Sequence, residues 1–111
     1  DRDVLGDGLE TFLSALMVDI GIYGAAGVAE DGTLLDFYTE EVQARRLIRQ
    51  NSRKTFLVLD YTKFSRAAHV RGGNIGEATK VFCERRPPEN ILEILQTSGT
   101  ELVVCGEAQT S

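Results

Sequence analysis

An aspartate and a lysine three residues apart, Asp60 and Lys63, follow the apolar stretch TFLVL. A lysine ammonium is a flexible point donor for a phosphate, and a carboxylate accepts hydrogen bonds from hydroxyl groups. The same spacing suits a local role, with Asp60 capping the next turn and pairing with Lys63. A second charged pair, Glu41 and Arg45, stands at i and i+4 in EEVQARRLIRQ, where side chains meet across one helical turn. Solvation of a helix surface accounts for that pair as well. Gly24 and Gly27 bracket the turn GAAG. Without Cβ atoms they let a ligand approach the backbone, or they simply turn the chain. His69 is the single histidine, and the two cysteines, Cys83 and Cys105, form no CxxC. These residues do not assemble a zinc site, and nothing in the chain calls for a cofactor.

The elements that must position these groups alternate in type. Val18 to Gly27, VDIGIYGAAG, reads as a buried strand of a parallel sheet that opens into a loop. In open α/β sheets ligands bind beyond the carboxyl ends of the strands. Thr55 to Asp60, TFLVLD, is a near-continuous apolar run, the pattern of a parallel strand buried on both faces. Asp60 and Lys63 therefore fall where such a sheet places ligand groups. The loop from Ala25 to Tyr38 is long for a simple connection, with a turn at Asp31-Gly32.

Helices separate the strands. Residues 7 to 17 carry an apolar stripe of Leu9, Phe12, Leu13 and Leu16, with Asp7 and Glu10 spaced as a capping box. Thr39 is the expected N-cap of the next helix, and Glu40 and Glu41 suit its positive end. A third helix, PPENILEILQTSG, has Pro88 in its first turn and Gly99 as its stop. A short strand over 67–75 with a Gly72-Gly73 turn, then strands VFCERR and TELVVCGE, complete the order. This alternation implies an α/β fold in three layers, a mostly parallel sheet with helices on both faces.

Composition narrows the function. A length of 111 residues matches one domain. The net charge of −5 argues against this piece holding nucleic acid, which requires a basic face. No apolar run approaches the roughly 18 residues of a membrane span, so no membrane association is expected. The opening DRDVLGDG is acidic and has no Met; it reads as a cut in a longer protein and not as a signal peptide. Cys83 and Cys105, at the ends of expected strands, read as buried free thiols in a reducing compartment, the cytoplasm.

Three stretches in order, VDIGIYGAAG, EEVQARR and VLDYTKF, carry a resemblance. Together with VFCE, the PPENILEILQTSG helix and the ELVVCGE strand, the chain resembles the effector-sensing C-terminal domain of DeoR-type bacterial transcription regulators, over roughly residues 5 to 106. The resemblance implies a fold similar to ribose-5-phosphate isomerase, glucosamine-6-phosphate deaminase and the CoA transferases. It implies a single sensing domain over 1–111, lacking a winged helix-turn-helix and the first sensor strands. It also implies a phosphorylated sugar as effector, DNA contact only through the missing N-terminal domain, and a homo-oligomer. Residue by residue, it carries ligand-binding roles onto Gly24, Gly27, Glu41, Arg45, Asp60 and Lys63, and a structural role onto Asp19. Phe37 and Tyr38 depart from the pattern, as do the glycine-rich RGGNIGEA and Glu84.

Two other functions compete with the sensor. An isomerase or deaminase of the same fold needs general acid–base groups, and here Thr33 follows Asp31-Gly32 where the deaminases carry a histidine. A ligand-free assembly module would leave Asp60 and Lys63 as a structural ion pair. Missing strands would leave an open sheet edge, which invites pairing with a second chain.

Overall fold

The computed structural model describes residues 17–106. The expected helix over 7–17 lies almost wholly outside them. Seven strands and two helices follow in the order β1 (Val18–Tyr23), β2 (Gly27–Val28), β3 (Thr33–Asp36), α1 (Thr39–Gln50), β4 (Ser52–Leu59), β5 (Val70–Asn74), β6 (Lys80–Cys83), α2 (Glu89–Ser98) and β7 (Glu101–Val104). Short 3-10 turns cover Tyr61–Ser65 and Ile75–Glu77. The main sheet is all parallel, in the order β1-β4-β6-β7. This is the α/β architecture expected from the alternation of elements.

The register explains the burial. Tyr23, Leu57, Val81 and Leu102 pair in one row across the sheet, and Leu59, Cys83 and Val104 in another. These rows point one way, because neighbours in a parallel ladder share a face while successive residues alternate. Leu57 and Val81 are fully buried beneath Ile91 and Leu95 of α2, and Ile48 of α1 packs on the same cluster. Each crossover advances across the sheet in one direction, β1 to β4 to β6 to β7. Right-handed crossovers of that kind place their connections on a single face.

The opposite face carries Ile20, Ile22, Phe56, Val58 and Phe82. Ile20, Ile22 and Val58 are exposed, and the Phe56 and Phe82 rings meet at a tilt of 56° with centroids 5.2 Å apart. β4 is therefore buried on one face, not on both. β1 is likewise an edge strand in which only Gly21 and Tyr23 are buried. The apolar run in β4 reflects a sheet face that the described residues leave open. The described helices form one layer, and the second expected layer is not among the described residues.

The long connection after β1 is not a plain loop. β2 and β3 form an antiparallel hairpin, and β5 adds to β3, making a second sheet in the order β2-β3-β5. The turn Asp31-Gly32 closes the hairpin, with Gly32 at φ 87° and the Thr33 N–H donating to Asp31 Oδ1 at 3.0 Å. Leu34 and Ile75 seal this sheet against the main core. α2 stops at Gly99, whose φ of 75° is the left-handed conformation of a C-terminal glycine. Cys83 is buried as expected. Cys105 is exposed, because it lies one residue past β7 in a turn.

Candidate functional site

Parallel pairing brings the carboxyl ends of β1, β4 and β6 to one edge of the sheet. Gly24, Asp60 and Glu84 are the residues that follow those strands. An open pocket of about 500 Å³ lies beyond the end of β1. Its floor is the small-residue segment Gly24, Ala25 and Ala26. α1 supplies Glu41, Ala44, Arg45 and Ile48, β3 and the residue after it supply Asp36 and Phe37, and the turn after β4 supplies Lys63 and Arg66.

Of the six candidate residues, Gly24, Glu41, Arg45 and Lys63 line this pocket. Gly27 and Asp60 do not. Gly27 sits in β2 beneath the 61–66 turn, where a Cβ would collide with the Arg66 carbonyl oxygen. Its lack of a side chain lets that turn close over the hairpin. Asp60 is the N-cap of the turn. Its Oδ1 accepts from the Thr62 N–H at 3.0 Å and from the Thr62 hydroxyl, and its Oδ2 pairs with Lys63 Nζ at 3.2 Å. Asp60 thus aims Lys63, whose side chain is 22% exposed.

The pairing of Glu41 with Arg45 across one turn of helix is not what forms. Glu41 Oε1 turns back to accept from the Phe37 and Tyr38 N–H groups at 3.3 and 3.4 Å, and α1 is capped at Tyr38, one residue before the expected Thr39. Arg45 is buried and not solvated. Its Nη2 lies 2.6 Å from Asp36 Oδ2, and both side chains are about 95% withdrawn from water. Nη1 donates to the Gly24 carbonyl at 3.1 Å and Nη2 to the Gly72 carbonyl at 2.8 Å. The carboxylate contact is a close charge contact, and Asp36 Oδ2 has no aligned hydrogen bond. Arg45 clamps the end of β1, β3, β5 and α1 together.

Behind Arg45 lies a smaller recess of about 180 Å³ beside Arg46, Arg49, Gly72 and Glu77. Tyr23 forms part of the wall of both spaces, and burial pushes its hydroxyl pKa up. His69 is exposed and lines neither space. Among the described residues, no group of three His, Cys, Asp or Glu is placed to hold a metal ion. Asp36 and Arg66 were not singled out from sequence. Arg66 repeats the three-residue step from Lys63, a signal that the turn spacing offered. Asp36 offered none, because its partner is distant in the chain.

The pocket combines cations with carboxylates that are already engaged. Glu41 is held by two backbone N–H groups and Asp36 by Arg45. Cations with engaged carboxylates suit an anion better than a cation, and both of these carboxylates already have protein partners. Breaking a buried pair by removing one partner costs about 3–5 kcal/mol. Arg45→Met is expected to destabilise the domain by that order in denaturant unfolding, and Arg45→Met with Asp36→Leu by clearly less. Equal losses in the two variants would show that the pair is not the origin of the effect.

The Asp60 carboxyl is held below its usual range, first by the Thr62 hydroxyl and then by Lys63. A depressed carboxyl stabilises the turn above its unfolded-state value, and that contribution is lost as pH falls through the lowered value. In an NMR titration, the Thr62 amide is expected to change with a midpoint below about 3.9, the ordinary aspartate value. A midpoint at or above that value would contradict the cap.

The sequence matches the family described as the DeoR C terminal sensor domain over residues 1–85. The glycerol-3-phosphate regulon repressor of Escherichia coli is 35% identical over 105 residues, 95% of this chain and 42% of the relative. The protein of that name from Haemophilus influenzae is 38% identical, over 95% of this chain and 41% of the relative. The HTH-type transcriptional repressor CsqR of Escherichia coli is 26% identical over 91% of the chain. The chain spans about two fifths of the length of these relatives. With motif order, parallel sheet and sequence match in agreement, the chain belongs to the DeoR C-terminal sensor domain family.

Proposed function

We propose that this domain binds a small phosphorylated sugar or polyol in the pocket beyond β1, and that binding controls how the full-length regulator holds DNA. The observation that carries this reading is that Lys63 and Arg66 both line an open pocket whose own carboxylates are engaged elsewhere. Lys63 and Arg66 neutralise the phosphate, and the small side chains of Gly24 to Ala26 leave room for the carbon chain. The relatives named for glycerol 3-phosphate favour a phosphorylated polyol. DNA contact belongs to a separate N-terminal domain, consistent with the acidic charge of this piece. A regulator of this kind works in the cytoplasm, beside the DNA. Among the described residues, no helix is long and apolar enough to cross a membrane.

The domain acts by binding and not by turnover. His69 stands away from the pocket, and the carboxylates that line it are held by protein partners. A ligand shifts the regulator only by binding one conformation better than another. The segments around the pocket (the β1 end, β3, α1 and the 61–66 turn) are the parts whose relative positions an effector would bias.

Ligand at about 100 times its dissociation constant stabilises a folded protein by roughly 2.7 kcal/mol. A thermal-shift series on the full-length protein with glycerol 3-phosphate and other phosphorylated sugars is expected to show such a rise for one of them. Lys63→Ala is expected to weaken that ligand about tenfold or more, the value of a charged hydrogen bond. Equal affinity in Lys63→Ala would move the phosphate elsewhere, and product formation from the bound sugar would make the protein an enzyme.

The domain also assembles with copies of itself. The free edge of β1 and the exposed Ile20, Ile22 and Val58 support this, since soluble monomers rarely leave so much apolar surface together. Light scattering on the full-length protein is expected to give a dimer or larger, and a monomer at high concentration would refute it.

A further inference from the structure

Phe37 is a large apolar ring left half in water, 51% exposed, directly after the buried Asp36. A single exposed apolar side chain is ordinary; what sets Phe37 apart is its place in the lining of a cavity. The backbone beneath it is fixed. Its N–H donates to Glu41 Oε1 at 3.3 Å, at the start of α1. Phe37 lines the pocket beyond β1, and so do Gly24, Ala25 and Ala26, which carry one side-chain carbon at most. Lys63 and Arg66, from the turn after β4, line the same space. The lining therefore offers both cations and an aromatic ring to one occupant. Tyr38, the next residue, is 66% exposed and lines no part of this pocket.

We propose that Phe37 is a specificity-determining residue, its ring covering the carbon chain of a phosphomonoester whose phosphate is held by Lys63 and Arg66. This rests on the binding function proposed above and narrows its ligand class. Pockets of this kind draw affinity from apolar and aromatic walls and orientation from a few polar groups. A ligand with one phosphate and a C–H-bearing chain uses both the cations and the ring. Inorganic phosphate uses only the cations, and a bisphosphate sets its second charge against the ring. Phe37 thus separates phosphorylated polyols and sugars from bare phosphate.

The test is calorimetric titration of the full-length protein with glycerol 3-phosphate, ribose 5-phosphate and fructose 6-phosphate, with inorganic phosphate as control. For the phosphomonoester bound most tightly, Phe37→Ala is expected to weaken binding about tenfold, while inorganic phosphate changes by less than about twofold. Phe37→Leu keeps an apolar wall and is expected to retain most of the affinity. Tyr38→Ala is expected to bind as the unaltered protein does. Phe37 is half exposed, so circular dichroism of the variants is expected to match the parent. If Lys63→Ala loses binding and Phe37→Ala does not, this inference is overturned and the binding function stands. A parallel loss of phosphomonoester and inorganic phosphate in Phe37→Ala also overturns it. If the unaltered protein binds none of the phosphomonoesters, the binding function fails, and this inference with it.

Discussion

The Arg45–Asp36 contact holds together the parts of the molecule that surround the pocket. A buried charge is costly unless it is paired and its remaining hydrogens are satisfied. Arg45 is paired with Asp36 at 2.6 Å and donates to the carbonyls of Gly24 and Gly72 at 3.1 and 2.8 Å. Those partners come from β3, the end of β1 and β5. One guanidinium on α1 thereby ties the main parallel sheet to the small antiparallel one. The planar fork matters here, because a lysine ammonium cannot present donors in fixed directions to three segments at once. Most of the energetic contribution is positional, since the cost of desolvating both charges offsets much of their attraction.

That clamp explains why the neighbouring cations differ in character. Arg45 spends its charge inside the protein. Lys63 is tethered by Asp60 on an exposed turn and keeps part of its side chain in water, so it can exchange solvent for a ligand. Gly27 lets the same turn lie directly on the hairpin. The pocket is thus bounded by a rigid wall at Arg45 and by a turn whose integrity depends on Asp60 being ionised. Glu41 contributes by fixing the Phe37 and Tyr38 backbone at the helix start. Three of the charged residues singled out in the sequence, Glu41, Arg45 and Asp60, act on backbone or on a neighbouring side chain, and Lys63 lines the open space.

The elements were legible wherever local pattern and tertiary environment agree. Apolar period and caps placed α1, α2 and the strands β1, β4, β6 and β7 within a few residues of their bounds. Pattern failed where burial depends on what lies opposite. An apolar run such as TFLVL looks the same whether one or both faces are covered, and here Val58 is half exposed while Leu57 is fully buried. The segment Ala25–Tyr38 looked like a loop because its strands have only two and four residues, too short for a period, and pair with Val70–Asn74 far along the chain.

For the site, the sequence alone determined the residue types, their place after parallel strands, and the family. Local spacing also contained the Asp60–Lys63 pair, because partners three residues apart meet in any tight turn. It did not contain the fate of Arg45. An arginine at i+4 from a glutamate reads as a surface ion pair from spacing alone. Only packing α1 against both sheets buries the guanidinium and brings Asp36, nine residues earlier, within 2.6 Å. Which cation stays partly in water at the open pocket and which braces the fold is set by solvent exposure and long-range pairing, and both exist only once the chain has closed on itself.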